Sequence, residues 1–147
     1  NMKNYVLVSS KPWHDPMFKY LKKNIKGHWI RIVSKDNFTH QKLKKLNPEW
    51  VFIPHWSYII PDNIYENFKC VVFHMTDLPY GRGGSPLQNL IQRGHKKTMI
   101  SAIKVEKGID TGDVYSKSSL NLSGTATEIF IRSFILLIIL LIILLII

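Results

Sequence analysis

Short apolar runs alternate with longer stretches of mixed hydrophobic and polar positions along this chain. Tyr5-Val6-Leu7-Val8 is closed by Ser9, Ser10 and Pro12, the pattern of a short buried strand. Met17, Tyr20, Leu21 and Ile25 then recur at helical spacing, which predicts a helix over 16–25 that Gly27 ends. Residues 29–33 read as a second strand. Residues 36–46 read as a basic helix halted at Asn47-Pro48, because proline pushes its predecessor out of the helical region. A third strand over 50–53 empties into the aromatic loop Pro54-His55-Trp56-Ser57-Tyr58, and a brief helix over 61–68 leads to a fourth strand over 69–73. A helix over 85–92 with Gly94 as its stop comes next, then two alternating segments, 98–105 and 114–118, that fit a hairpin-like pair. Thr125-Ala126-Thr127-Glu128 has capping-box spacing and predicts a last helix. Strands alternating with helices predict an α/β domain of three layers, a mainly parallel sheet flanked by helices, with an apolar helix at the carboxy end.

That apolar end is unusual. From 134 to 147 the chain is only Phe, Leu and Ile, with Leu-Leu and Ile-Ile doublets alternating. As a helix this stretch spans about 21 Å, shorter than the roughly 20 residues a bilayer core requires. The expected organisation is one domain over 1–133 followed by a low-complexity tail over 134–147. The tail reads as the replaced end of a longer frame, because a helix apolar all round has no solvent face; membrane contact is the second reading. Left exposed, such a run favours aggregation.

Charge adds a constraint without deciding the partner. The net charge is +10, and sixteen of the twenty cations are lysines, many on the solvent faces of the predicted amino-terminal helices. Lys19, Lys22, Lys23 and Lys26, then Lys42, Lys44 and Lys45, fit a solvated face better than a phosphate track, so nucleic acid is not the favoured partner on charge alone. An anionic small substrate would also be drawn to this field. Cys70 is the single cysteine, so no intrachain disulfide forms and a cytoplasmic setting is expected. Within Cys70-Val71-Val72-Phe73 it reads as strand filler rather than nucleophile. No segment near the amino end is long enough for a secretory core. His14, His28, His40 and His95 lack metal-ligand spacing, so no metal is expected. No Walker loop and no Gly-x-Ser-x-Gly elbow occurs, which removes the usual nucleotide and serine hydrolases.

Two short motifs carry the chemistry. Phe73-His74-Met75-Thr76-Asp77-Leu78-Pro79-Tyr80-Gly81-Arg82-Gly83 follows the fourth strand, and Gly108-Ile109-Asp110-Thr111-Gly112-Asp113 lies between the paired segments. An imidazole facing a carboxylate stabilises an oxyanion and moves a proton, as transfer of an acyl-like group to an amine requires. Read alone, His74 is an ordinary strand-end histidine, Asp110 a turn residue and Thr76 a hydroxyl that closes the turn at Pro79.

At these residues the chain resembles the folate-dependent formyltransferases, whose members act on methionyl-tRNA, glycinamide ribonucleotide or sugar nucleotides. Their pattern, roughly His-x-Ser-Leu-Leu-Pro-x-x-Arg-Gly, is met at His74, Leu78, Pro79, Arg82 and Gly83, with Thr76 for the usual Ser; Asp110-Thr111-Gly112 meets the second motif. Pro48-Glu49-Trp50-Val51-Phe52-Ile53 is similar to the family strand beside the folate pocket, so the resemblance covers about residues 46 to 128. It implies a Rossmann-type catalytic domain with an abbreviated amino-terminal half. His74 would donate a hydrogen bond to the formyl oxygen, and Asp110 would orient or deprotonate the attacking amine through a water and keep His74 charged. The donor implied is 10-formyltetrahydrofolate, held by His55, Trp56, Tyr58, Ile109 and Thr111. Thr76, Arg82 and Gly83 would position the acceptor. One departure stands out: Val72 occupies the place of the family's Asn, which helps to bind the formyl oxygen, and a lost oxyanion donor costs roughly a hundredfold or more in rate. No tRNA-binding barrel follows the motifs, so the acceptor expected first is a small primary amine, an amino sugar on a nucleotide. Formylation of methionyl-tRNA, or a degenerate folate-binding paralogue without turnover, are the alternatives.

Overall fold

The computed structural model describes residues 2–74, 92–108 and 111–146. Nearly all of the helix predicted over 85–92 lies outside them. Two compact units are distinguished, Asn1–Val72 and Phe73–Ile147.

In the first unit, parallel pairing follows from strands that have no face left for water. β1 (Asn4–Ser9) buries Val6, Leu7 and Val8 completely, and β3 (Trp50–His55) does the same with Val51 and Phe52. β1 pairs in parallel with β2 (His28–Ile32) on one side and β3 on the other, and β3 pairs in parallel with β4 (Cys70–His74). Strands running the same way send their carboxy ends to one edge, where open α/β sheets bind ligands.

The connections show why each strand begins where it does. Pro12–His14 forms a single 3₁₀ turn, and α1 (Asp15–Asn24) follows, burying Met17 and Leu21 completely. Gly27 sits at φ +142°, and a Cβ there would lie 2.5 Å from the Tyr5 ring, so the entry to β2 admits only glycine. The helix predicted over 36–46 is divided. A 3₁₀ turn spans Lys35–Asn37, Phe38 enters the core, and Thr39 adopts an extended backbone whose hydroxyl accepts the Lys42 N–H at 3.2 Å. α2 (His40–Leu46) therefore starts four residues late, because Thr39 is a better N-cap than an interior residue. Asn47 ends it in the left-handed region at φ 48°, which asparagine tolerates.

β3 runs past its predicted end, through Pro54 to His55. The ladder pairs Leu7 with Phe52 and then Ser9 with His55, two steps on β1 against three on β3. Proline offers no N–H to a ladder and is accommodated at such irregularities. α3 (Asp62–Tyr65) is shorter than the predicted 61–68, its last turn continued by Phe68 N–H bonding Ile64 O at 2.9 Å.

The second unit contains the antiparallel hairpin expected from the alternation, β5 (Lys97–Lys104) with β6 (Val114–Asn121), the latter longer than predicted. The strand order β2-β1-β3-β4-β5-β6 makes a six-stranded, mostly parallel sheet with helices, the fold class anticipated from sequence. The capping box forms as spaced: Thr125 N–H bonds Glu128 Oε1 at 2.9 Å and Glu128 N–H bonds Thr125 Oγ1 at 3.2 Å. α4 (Ala126–Ile146) follows without interruption at residue 134. Arg132 ties its first turns to the end of β6, donating to the carbonyls of Asn121 and Ser123 at 2.7 Å each.

Ile129, Leu137, Leu140, Leu141 and Leu144 are buried, whereas Ile131, Ile135, Ile139 and Ile146 are exposed. The inward stripe recurs every three to four residues, so one face of an entirely apolar helix is covered within its own unit. Its 21 residues make it long and apolar enough to cross a membrane by length and composition, about 31 Å at helical rise. This exceeds the length expected from the tail alone, because the helix begins at Ala126 rather than at residue 134. Leu140→Ala is expected to lower unfolding stability by about 2–5 kcal/mol, and Ile139→Ala by only about 0.5 kcal/mol. Urea denaturation of the two variants measures the difference, and equal losses would contradict this division of faces.

Candidate active site

β4 carries Cys70, Val71, Val72 and Phe73 to His74, which is buried at the strand's carboxy end. Burial pushes the Cys70 thiol up to about 12, so it stays protonated as an inert strand residue, as expected from its apolar neighbours. Val72, half-buried, pairs with Ile53 in the parallel ladder and offers no side-chain donor.

The second motif sits in the turn between β5 and β6. Lys104 N–H bonds Asp113 O at 2.8 Å and closes the hairpin. Gly112 is required here, since a Cβ would collide with the Lys104 carbonyl oxygen. Gly108 takes φ +101°, and the Thr111 hydroxyl donates to Lys107 O at 3.0 Å. Thr111 thus has a structural task in shaping the turn. Asp110 and Ile109 lie outside the described residues, as do Thr76, Arg82 and Gly83.

The carboxy edge of β1 and β3 holds the remaining predicted residues and several that the sequence did not single out. Trp56 and Tyr58 meet at 5.3 Å with rings at 66°, Phe38 approaches Trp56 edge-on at 5.7 Å, and the Lys35 ammonium lies 5.5 Å from the Tyr58 ring centre. His55 stands opposite Ser9 across the irregular ladder. Ser9 Oγ is hydrogen-bonded to His14 Nδ1, and both residues are buried. Arg31, reaching from β2, donates to Ser9 O at 3.3 Å and to Lys11 O at 2.9 Å and pairs with the Asp15 carboxylate. The signal missed was local: Ser9-Ser10 after a buried strand, and His14-Asp15-Pro16 opening a helix.

The electrostatics follow from these contacts. Burial, with the neighbouring His55, Arg31 and Lys11, lowers His14 to about 4, opposed only by Asp15. Partial burial and the Lys11 ammonium also lower His55. Both imidazoles are therefore neutral near pH 7.

The chain matches the formyl transferase family model over residues 5–131. It belongs to that family. A methionyl-tRNA formyltransferase from Rickettsia prowazekii is 32% identical over 106 residues, 68% of this chain and 35% of the relative. A solved structure, methionyl-tRNA formyltransferase from Clostridium thermocellum, superimposes with TM-score 0.86 at 54% identity over 93% of this chain and 61% of that one. The formyltransferase PseJ from Anoxybacillus kamchatkensis, solved with UDP-4,6-dideoxy-4-formamido-L-AltNAc and tetrahydrofolate, shares the fold: TM-score 0.69 at 17% identity, over 94% and 71% of the two chains. The chain spans about a third of the length of the Rickettsia relative. Family membership thus rests on more of the chain than the two motifs alone, reaching back to the first strand.

A pH dependence follows from His14. Its folded value lies below the unfolded value of 6.5, so the unfolded chain binds the proton more readily as pH falls. The contribution is complete above about pH 6.5 and is lost progressively toward pH 4, to the extent of about 3 kcal/mol. His14→Asn, whose amide oxygen accepts the Ser9 hydroxyl without titrating, is expected to flatten the unfolding free energy between those pH values. An unchanged slope in urea titrations would remove His14 as its source.

Proposed function

We propose that this chain carries the formyl-transfer chemistry of a methionyl-tRNA formyltransferase, moving the formyl group of 10-formyltetrahydrofolate to the amino group of methionyl-tRNA. The observation that carries this reading is the 54% identity to the Clostridium thermocellum enzyme across 93% of the chain. It favours the acceptor that the sequence ranked second. The amino sugar on a nucleotide loses ground, because the relative that binds such a sugar is only 17% identical and supports the fold alone.

In this reading the amine nitrogen attacks the formyl carbon, the bond from that carbon to N10 of the folate breaks, and N10 takes up a proton. His74, delivered by β4, donates to the formyl oxygen as it gains charge. Asp110 orients the amine and accepts its proton through a water. The aromatic faces of Trp56 and Tyr58, with Tyr58 half exposed, fit the planar ring of a folate. Val72 leaves His74 without the amide donor that the family pairs with it, which lowers the rate of transfer without removing its chemistry.

The test is release of tetrahydrofolate from 10-formyltetrahydrofolate in the presence of methionyl-tRNA, with a panel of amino-sugar nucleotides in parallel. His74→Ala and Asp110→Ala are each expected to reduce release at least a hundredfold. Val72→Asn is expected to raise it by a comparable factor. Folate binding without release on any amine, indifferent to both alanine variants, would identify a non-catalytic paralogue instead.

A further inference from the structure

Ile131, Ile135, Ile139 and Ile146 keep between 43% and 77% of their surface exposed. They recur along α4 at steps of four or seven residues, so at 3.6 residues per turn they share one face. Leu137, Leu140, Leu141 and Leu144 point to the opposite side and are buried, where α4 meets β6 and β5. The helix thus has two opposed apolar faces, and its own unit covers one of them. Leaving the other in water is unfavourable in proportion to its apolar area.

What can cover that face is limited by what it lacks. A protein partner is registered by polar contacts, about one hydrogen bond per 100–200 Å² of interface, and from 134 to 146 no side chain of α4 donates or accepts one. Lipid chains ask for none.

Cations gather where α4 begins. The Lys96 carbonyl accepts the Leu122 N–H at 2.9 Å, Lys97 stands opposite Asn121 in the hairpin, and Arg132 donates to the carbonyls of Asn121 and Ser123. Glu128, held by the capping box, and Arg132 both reach Gly124, so their charges offset. Lys96 and Lys97, both exposed, supply the surplus positive charge at this end. No charged residue follows Arg132. An apolar helical face with ammonium groups beside one end matches a membrane surface that carries anionic head groups.

We propose that α4 lies on such a membrane: its outward isoleucines enter the acyl region while Lys96 and Lys97 meet lipid phosphates, and its inward leucines stay on β5 and β6. The inference goes beyond formyl transfer and does not depend on it.

The experiment is flotation of the full chain with vesicles of phosphatidylcholine alone and of phosphatidylcholine mixed equally with phosphatidylglycerol, with sedimentation in the absence of lipid alongside. The mixed vesicles are expected to carry the protein upward. Ile135→Ser combined with Ile139→Ser should weaken that binding about tenfold or more. Lys96→Ala combined with Lys97→Ala should weaken it about fivefold for each charge removed, and should leave the weaker binding to phosphatidylcholine alone nearly unchanged. Amide hydrogen exchange in β5 and β6 should stay as slow with lipid as without it, because the helix remains on its sheet. Absence of flotation with both vesicles overturns the proposal, as does binding to the mixed vesicles that either double variant leaves unchanged while keeping the wild-type circular dichroism spectrum. Rapid exchange in β5 and β6 on lipid binding also overturns it, since the helix would then have left its sheet to insert. A lipid-free dimer that the serine substitutions dissociate, without vesicle binding, overturns it in favour of a second copy on this face. Should the double serine variant fail to fold, Ile139→Ala, whose cost to folding is small, tests the same face.

Discussion

The guanidinium of Arg31 reaches from β2 past the end of β1 and binds three groups of one loop: the Ser9 and Lys11 carbonyls and the Asp15 carboxylate. Both carbonyls lie past the last pairing of β1 with β2, Val8 with Ile32, where that neighbour no longer offers a ladder N–H. One planar, permanently charged side chain supplies them both, which lysine could not do with the same directionality. The loop's course is fixed as a result, and with it the orientation of Ser9 toward His14 and the position of Lys11 beside Trp13. The neutral state of His14 belongs to the same arrangement, since Arg31 and Lys11 both oppose a further positive charge.

Much of this architecture could be read from the chain because its signals were local. The run Tyr5-Val6-Leu7-Val8 became β1, the Thr125 to Glu128 spacing became a reciprocal pair of hydrogen bonds, and alternation on either side of the Asp110 turn became a hairpin. What escaped was decided by competition at single residues. Phe38 entered the core and Thr39 capped α2, so a continuous helical pattern gave way to a turn and a shorter helix. No periodicity argument sees that choice, because both outcomes bury the same Leu43.

The chemistry divides in the same way. His74 and the Gly112 turn were marked by motif, and the steric need for Gly112 explains why that motif ends in glycine. Ser9 and His14 were not marked although their bond is local, and Arg31 was not marked because its hold on Ser9 joins β2 to the end of β1 across 22 residues. The acceptor was the least legible part: the sequence ranked a small amine first and methionyl-tRNA second, whereas the relatives reported above that match most of the chain are named methionyl-tRNA formyltransferases.

The irregular pairing of β1 with β3 has a further consequence for any redesign of this edge. With an unbroken ladder after Leu7 and Phe52, Pro54 rather than His55 would stand opposite Ser9. Transplanting the side chains onto a regular sheet would therefore set a pyrrolidine where an imidazole belongs. The extra residue in the backbone has to travel with them.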